Sequence, residues 1–256
     1  MKKESKTVFI TGGTGLIGYE LVKDLQAAGF NVCFSSRNDE KIKLIEAQLN
    51  TGAGVPFVRG IKVNFLDHPL KTLHAFFKEN NIKPNVLINN VRDINYLKVD
   101  RNGVTDYNIF LSELELGVII PYQLSMSLAC ESVYKLENII NISSIYGVVP
   151  PNDSLYVDGY HSSPIQYGVA KAGLIHLTKE LAVRLAHINI RVNSISFGGV
   201  EGRSDEEFKM RYSRLTPMNR MLSKSEVSGP VKFLISDASS GMTGHNLVYD
   251  GGFTIW

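Results

Sequence analysis

Short apolar runs alternate with longer stretches of helical periodicity along the whole chain. TVFIT (7–11) has the pattern of a buried strand, and Leu16, Ile17, Leu21, Val22 and Leu25 then follow at helical spacing, with Gly29 as a stop. The same alternation repeats. NVCFSS (31–36) precedes a helix over DEKIKLIEAQL, and PFVRGIKVNF (56–65) supplies a third strand, after which Pro69 opens a helix through Leu73, Phe76 and Phe77. NVLINN (85–90), NIINIS (138–143), IRVNSIS (190–196) and NLVYD (246–250) are the later strands. Between them the spacing predicts long helices over 106–131, with a kink at Pro121, and over 164–186, and shorter ones near 204–214 and 224–236. Strands alternating with helices predict an α/β fold: a doubly wound parallel sheet of about seven strands with helices on both faces. The low charge of the strands fits, since both faces of such strands are covered.

Composition narrows the picture without naming a chemistry. The chain has 256 residues, 44% of them hydrophobic and 20% charged, which is long enough for a full core and too apolar for disorder. Two cysteines cannot form a disulfide framework, so a reducing compartment, the cytoplasm, is expected. A net charge of +2 gives no case for a nucleic-acid surface. The apolar run near the start, Val8–Phe9–Ile10, is too short for a signal-peptide core, and no later uninterrupted apolar run reaches about 18 residues. The six histidines show no metal-ligand spacing with a carboxylate or cysteine, so no metal site is expected. Cys33, in a strand, and Cys130, in a helix, read as buried small apolar residues, and Leu174, Leu177 and Leu181 as core or a subunit contact.

Chemistry enters at the first turn. Gly13, Gly15 and Gly18 form a G-x-G-x-x-G within Thr11–Gly12–Gly13–Thr14–Gly15–Leu16–Ile17–Gly18, after a strand and at the start of a helix. Glycines let the backbone approach a pyrophosphate, and the helix start offers free N–H groups and a positive dipole end. NAD-binding chains place an acid at the end of the second strand to hold the ribose. Here the residues are Ser35–Ser36–Arg37, and a hydroxyl with a guanidinium suits a 2′-phosphate, so NADP is expected ahead of NAD. The second long helix opens with Tyr167–Gly168–Val169–Ala170–Lys171, which puts Tyr167 and Lys171 on one face, where the cation favours the phenolate. The fifth strand ends at Ser143–Ser144, at the carboxyl edge where open α/β sheets bind ligands.

These pieces, with LINN (87–90), INISS (140–144), YGVAKAGLIHLTKELA (167–182) and the terminal VYDGG (248–252), resemble the classical short-chain dehydrogenase/reductase family in order and over nearly the whole chain. The resemblance implies one NAD(P)-binding Rossmann domain over 1–256 and interconversion of an alcohol and a carbonyl. Tyr167 would be the general acid/base, Lys171 would lower its pKa and hold the ribose, and Ser144 would position the substrate oxygen. Gly12, Gly13, Thr14, Gly15, Leu16, Ile17 and Gly18 would hold the pyrophosphate, with Ser36 and Arg37 at the ribose. Asn64 would lie at the adenine, Asn90 beside the cofactor, and Gly198 and Val200 at the carboxamide.

Departures from the family pattern are as informative. The glycine spacing is that of the extended branch, but the chain is too short for that branch's substrate domain. NNAG is replaced by Asn89–Asn90–Val91–Arg92, and Phe197 replaces the usual proline. The relay asparagine should fall at Leu114, which cannot relay a proton, and Glu113 and Glu115 are expected on other faces of the helix. Tyr167 follows Ser144 by 23 positions, about ten more than usual, and the extra length lies in a loop insertion over 148–164 in which Asp153, Tyr156, Asp158, Tyr160 and His161 could bond a polyhydroxylated substrate. The runs TGGTGLIGYE and SSPIQYGVAKAGLIHLTKELA resemble flagellin-modification or surface-glycan oxidoreductases, implying a sugar or nucleotide-sugar substrate. A dinucleotide-binding protein with little catalysis and a sugar epimerase or dehydratase are the alternatives. The resemblance also implies a homotetramer or homodimer, with the two long helices, 106–131 and 164–186, as its contact surfaces.

Overall fold

The computed structural model describes residues 5–52 and 54–256. Seven strands lie in one parallel sheet in the order β3-β2-β1-β4-β5-β6-β7. They are β1 (Thr7–Ile10), β2 (Asn31–Ser36), β3 (Val58–Lys62), β4 (Val86–Asn89), β5 (Asn138–Ser144), β6 (Arg191–Phe197) and β7 (Asn246–Tyr249). The order reverses between β1 and β4, which pair directly through Phe9 and Leu87, and this switch point opens a crevice at the carboxyl ends of the strands.

Alternate residues of each strand feed opposite cores. On one face Val8, Ile10, Val32, Phe34, Ile88, Ile140 and Ile195 pack on α1 (Leu16–Ala27), α2 (Asp39–Leu49) and α8 (Ser228–Ile235). On the other, Phe9, Cys33, Leu87, Ile139 and Val192 pack on α3 (Leu70–Glu79), α5 (Ile120–Cys130) and α6 (Ile165–Leu185). Helix starts follow local chemistry. Asn38 caps α2 by accepting from Lys41 N at 2.9 Å, and Asp205 caps α7 (Glu206–Arg214) by accepting from Phe208 N at 2.7 Å, with Glu206 and Glu207 at the positive end of its dipole.

The helix expected over 106–131 is three pieces. α4 (Tyr107–Leu114) runs into a π-helical turn, Glu115–Ile119, and then into α5. Pro121 in the first turn of α5 has no N–H to return to Gly117, so the ladder loosens just ahead of it. The continuous stretch Tyr107–Cys130 is long and apolar enough to cross a membrane by length and composition alone. Here it covers the sheet, with Leu116, Ile120, Leu124 and Leu128 in the core. Cys130, expected to be buried, is exposed at the end of α5, whereas Cys33 is fully buried and its thiol pKa is pushed up by burial.

The insertion over 148–164 is packed. Two short 3-10 turns, Asp153–Leu155 and Gly159–Ser162, fold it against α7. Leu155 has no exposed surface, and its carbonyl accepts from Arg211 Nε at 2.9 Å. Ile145, Leu155, Tyr212, Met221 and Phe253 form a third apolar cluster, which walls the carboxyl end of the sheet.

Candidate active site

A cavity of about 830 Å³ opens at the switch point, lined from the carboxyl ends of β1, β2, β4, β5 and β6. One end is the glycine turn. Gly12 has φ of +70°, and a Cβ on Gly18 would sit 2.2 Å from Gly12 O, so only glycine lets α1 start this close to the turn. The turn is tied to β2, with Gly12 N donating to Ser35 Oγ at 3.1 Å and Gly13 N to Ser35 O at 2.9 Å. Gly12, Thr14, Gly15, Leu16, Ile17 and Gly18 line the cavity. Gly13 does not: it is buried against Phe34, where a Cβ would lie 2.5 Å from the ring stem, so its part is in packing the turn.

Past the turn the cavity meets Ser36, Arg37, Lys41 and Asn64. Ser36 Oγ lies 2.8 Å from Thr14 Oγ1 and also accepts from Asn38 N. Arg37 pairs with Asp93, whose carboxyl is held below the usual range. Burial opposes that shift, and the Asn95 backbone N–H and the Arg37 guanidinium outweigh it. Asn64 is engaged locally, accepting from Leu66 N and donating to Asp67. Asn90 Nδ2 donates to Thr11 O at 3.0 Å and Gly12 O at 3.3 Å, while Thr11 Oγ1 accepts from the backbone of Asn90 and Val91. Thr11 and Asn90 therefore lock the stretch after β4 onto the glycine turn.

After β6, the bridge between Val200 and Leu222 runs through Gly199 O and Glu201 N, leaving Val200's own N–H and C=O out of it. Gly198 and Val200 line the cavity. The free N–H groups at the start of α1, the glycine cradle and this unused backbone pair together fit an extended dinucleotide.

At the far end Ser144, Tyr167 and Lys171 converge. Lys171 is 5% exposed; its Nζ donates to Ile142 O at 2.8 Å and lies 5.7 Å from the Tyr167 ring centre. The Tyr167 hydroxyl is hydrogen-bonded to Ser144 and accepts from the Arg92 guanidinium, which sits 5.1 Å from the ring centre. Burial works against ionising Tyr167, but the charges of Arg92 and Lys171 and these two hydrogen bonds outweigh it, so its pKa is lowered. Lys171 is lowered as well, by burial first.

Two residues that sequence reasoning left aside belong here. Arg92 was visible only as a break in the NNAG pattern. Glu113 was expected to face away, but it is 1% exposed and within the electrostatic reach of Lys171 and Arg92, with Oε2 lacking a hydrogen-bond partner. Counting back from Gly117 by α-helical geometry gives Leu114. The π turn bonds i to i+5 and takes more residues per turn, so Glu113 comes to the inner face instead. Burial, opposed by the charges of Lys171 and Arg92, pushes its pKa up to about 7. Of the insertion residues, Tyr156 lines the cavity and its hydroxyl donates to Tyr146 Oη at 2.8 Å. Asp153, Asp158 and His161 are exposed and outside the lining, and the Tyr160 side chain lies outside the described residues.

Residues 122–254 match the family model described as "Enoyl-(Acyl carrier protein) reductase". The chain is 27% identical to post-translational flagellin modification protein A of Campylobacter coli, over 98% of both chains. It is 28% identical to a 3-oxoacyl-[acyl-carrier-protein] reductase of Aquifex aeolicus, again over 98% of both. A crystal structure of a short-chain dehydrogenase from Leptospira borgpetersenii with bound NAD+ superimposes with a TM-score of 0.83 at 31% identity, covering 98% of this chain and 93% of that one. The glycine turn, the parallel sheet and the Ser144–Tyr167–Lys171 cluster thus occur in a chain that belongs to the classical short-chain dehydrogenase/reductase family and is an NAD(P)-dependent oxidoreductase.

Proposed function

We propose that the whole chain works as one dinucleotide-binding unit in the cytoplasm and interconverts an alcohol and a carbonyl on a sugar or nucleotide sugar used in surface-glycan synthesis. The observation that carries the catalytic reading is the Tyr167 hydroxyl, held by Ser144 and Arg92 with its pKa lowered, in the same cavity as the glycine turn. Bound nicotinamide would donate or accept the hydride. Tyr167 passes the hydroxyl proton at its Oη, and Ser144 orients the substrate oxygen. Lys171 keeps the phenol acidic and offers Nζ to a ribose. Arg92 adds a second positive charge beside Tyr167, and Glu113 stands behind Lys171 where the helix lacks a relay asparagine. The sugar assignment draws on the full-length similarity to the flagellin modification protein.

NADP is the favoured cofactor because Ser36, Arg37 and Lys41 surround the place of the adenosine ribose, with no acid at the end of β2. Asp93 orients Arg37 without closing off its exposed guanidinium, whose side chain is 57% exposed. The apolar residues exposed on α4, the π turn, α5 and α6, among them Leu111, Ile119, Tyr122 and Val169, would pair copies of the chain into a dimer or tetramer. Purified protein should consume NADPH with at least one member of a panel of keto sugars and nucleotide-linked keto sugars, and no consumption with any member would contradict the reading. Calorimetric titration should show NADP binding more tightly than NAD, with the preference lost in Arg37→Ala; tighter NAD binding would reverse the assignment.

A further inference from the structure

The cavity is far more cationic than the chain that builds it. Among the described residues, its ionisable lining apart from tyrosines is Arg37, Lys41, Arg92, Asp93, Lys171 and Arg203, five cations and one acid, in a chain of net charge +2. The one acid, Asp93, is already taken by Arg37. The cations fall into two groups. Arg37 and Lys41 stand at the end of β2, where a cofactor's 2′-phosphate would lie, and the glycine turn with the start of α1 serves a pyrophosphate through backbone N–H groups. Lys171 is engaged with Ile142 O and Tyr167. Arg92, whose guanidinium keeps donors beyond the one given to Tyr167, and Arg203 remain. They come from different segments, after β4 and after β6, and line the same cavity, with Arg203 exposed; burial first, and then the charge of Arg92, lower the pKa of Arg203.

Neither guanidinium forms an ion pair with a carboxylate among the described residues. Glu113 reaches Arg92 electrostatically, but it is buried outside the cavity lining. Two like charges facing one cleft repel each other and are stabilised when an anion enters between them. The guanidinium fork matches the two oxygens of a carboxylate or phosphate. Because Arg92 also bonds the Tyr167 hydroxyl, such an anion would sit only a few bonds from the reacting carbon.

We infer that Arg92 and Arg203 form an oxyanion-binding subsite beside Tyr167, and that the substrate is a hydroxy or oxo compound bearing a carboxylate or phosphate near the carbon that is oxidised or reduced. This rests on the oxidoreductase reading of the cavity and narrows its substrate to acidic or phosphorylated molecules. It also gives a reason for arginine where the family has the small end of NNAG: the side chain brings a charge to the substrate in addition to its effect on Tyr167.

The test is calorimetric titration of the NADPH-loaded protein with two matched pairs, acetoacetate against acetoacetamide and dihydroxyacetone phosphate against dihydroxyacetone. At least one anion should bind ten or more times more tightly than its neutral partner, and which pair discriminates tells carboxylate from phosphate. Arg203→Ala should abolish the discrimination and change the NADPH Kd by less than twofold, and Arg203→Lys should restore part of it. Discrimination below twofold in both pairs would overturn the inference. So would an Arg203→Ala variant that loses NADPH affinity tenfold while discriminating as before, since the arginine would then serve the cofactor. Anion binding without NADPH consumption would uphold the subsite and count against the proposed reaction, so the two failures are distinguishable.

Discussion

Tyr167 is half-buried in the cavity wall, where loss of water alone would make it a poorer acid, yet Arg92 and Lys171 bring its pKa below the ordinary phenol value. Removing either charge should undo part of that. In Arg92→Leu the pH at which the rate of alcohol oxidation is half-maximal should rise by about one unit, the scale of one neighbouring charge; an unmoved profile would take Arg92 out of the electrostatics of Tyr167. Glu113 makes a prediction about stability. Its folded pKa, about 7, lies above the ordinary 4.5. The folded state therefore holds the proton longer than the unfolded chain, and stability falls as pH rises from about 4.5 through 7, by about 3 kcal/mol from this group. Glu113→Gln should flatten that slope and be more stable than the native chain at pH 8. Thermal melts at pH 5 and pH 8 check it, and parallel slopes for the two proteins would contradict it.

At the scale of elements, β2 could be read from the sequence residue for residue, and the other strands to within one to three residues at their ends, because apolar runs bounded by charge or turn residues report double coverage directly. The glycine turn was equally legible, since its function dictates its residue types. Gly18→Ala should drive a methyl group into Gly12 O and remove cofactor binding, measured by calorimetry. The π turn was not legible: Pro121 announces a disturbed helix but not which way its register shifts, and that shift decides whether Glu113 or Leu114 faces Lys171. Arg92 was hidden for a similar reason, because a single charged residue after a strand has no periodicity to place it. The Pro, Asp and Ser content of the insertion gives no sign of its packing, which rests on Leu155 inside the third apolar cluster with Val149 and Tyr156 against it. Leu155→Ala should destabilise the protein by about 2–5 kcal/mol and loosen the wall beside Tyr156. Denaturant unfolding measures the first effect, and faster amide exchange over 148–164 the second.

For the molecule as a whole, parallel strands bring residues from β1, β4, β5 and β6 to one edge, and the reversal between β1 and β4 opens that edge into a cavity. The adenosine end, the pyrophosphate turn and the Tyr167 end are therefore spaced by the sheet itself. Light scattering should find a dimer or tetramer; a monomer at micromolar concentration would leave the apolar surface of α4 and α6 without the partner proposed for it. The chemistry of the cavity turns on Tyr167. Comparing NADPH consumption by the native protein and by Tyr167→Phe, on whichever carbonyl the panel identifies, should show a loss of 10² or more, the usual worth of a positioned acid/base, with the NADPH Kd changed less than threefold. A Tyr167→Phe variant that turns over at the native rate would contradict the mechanism.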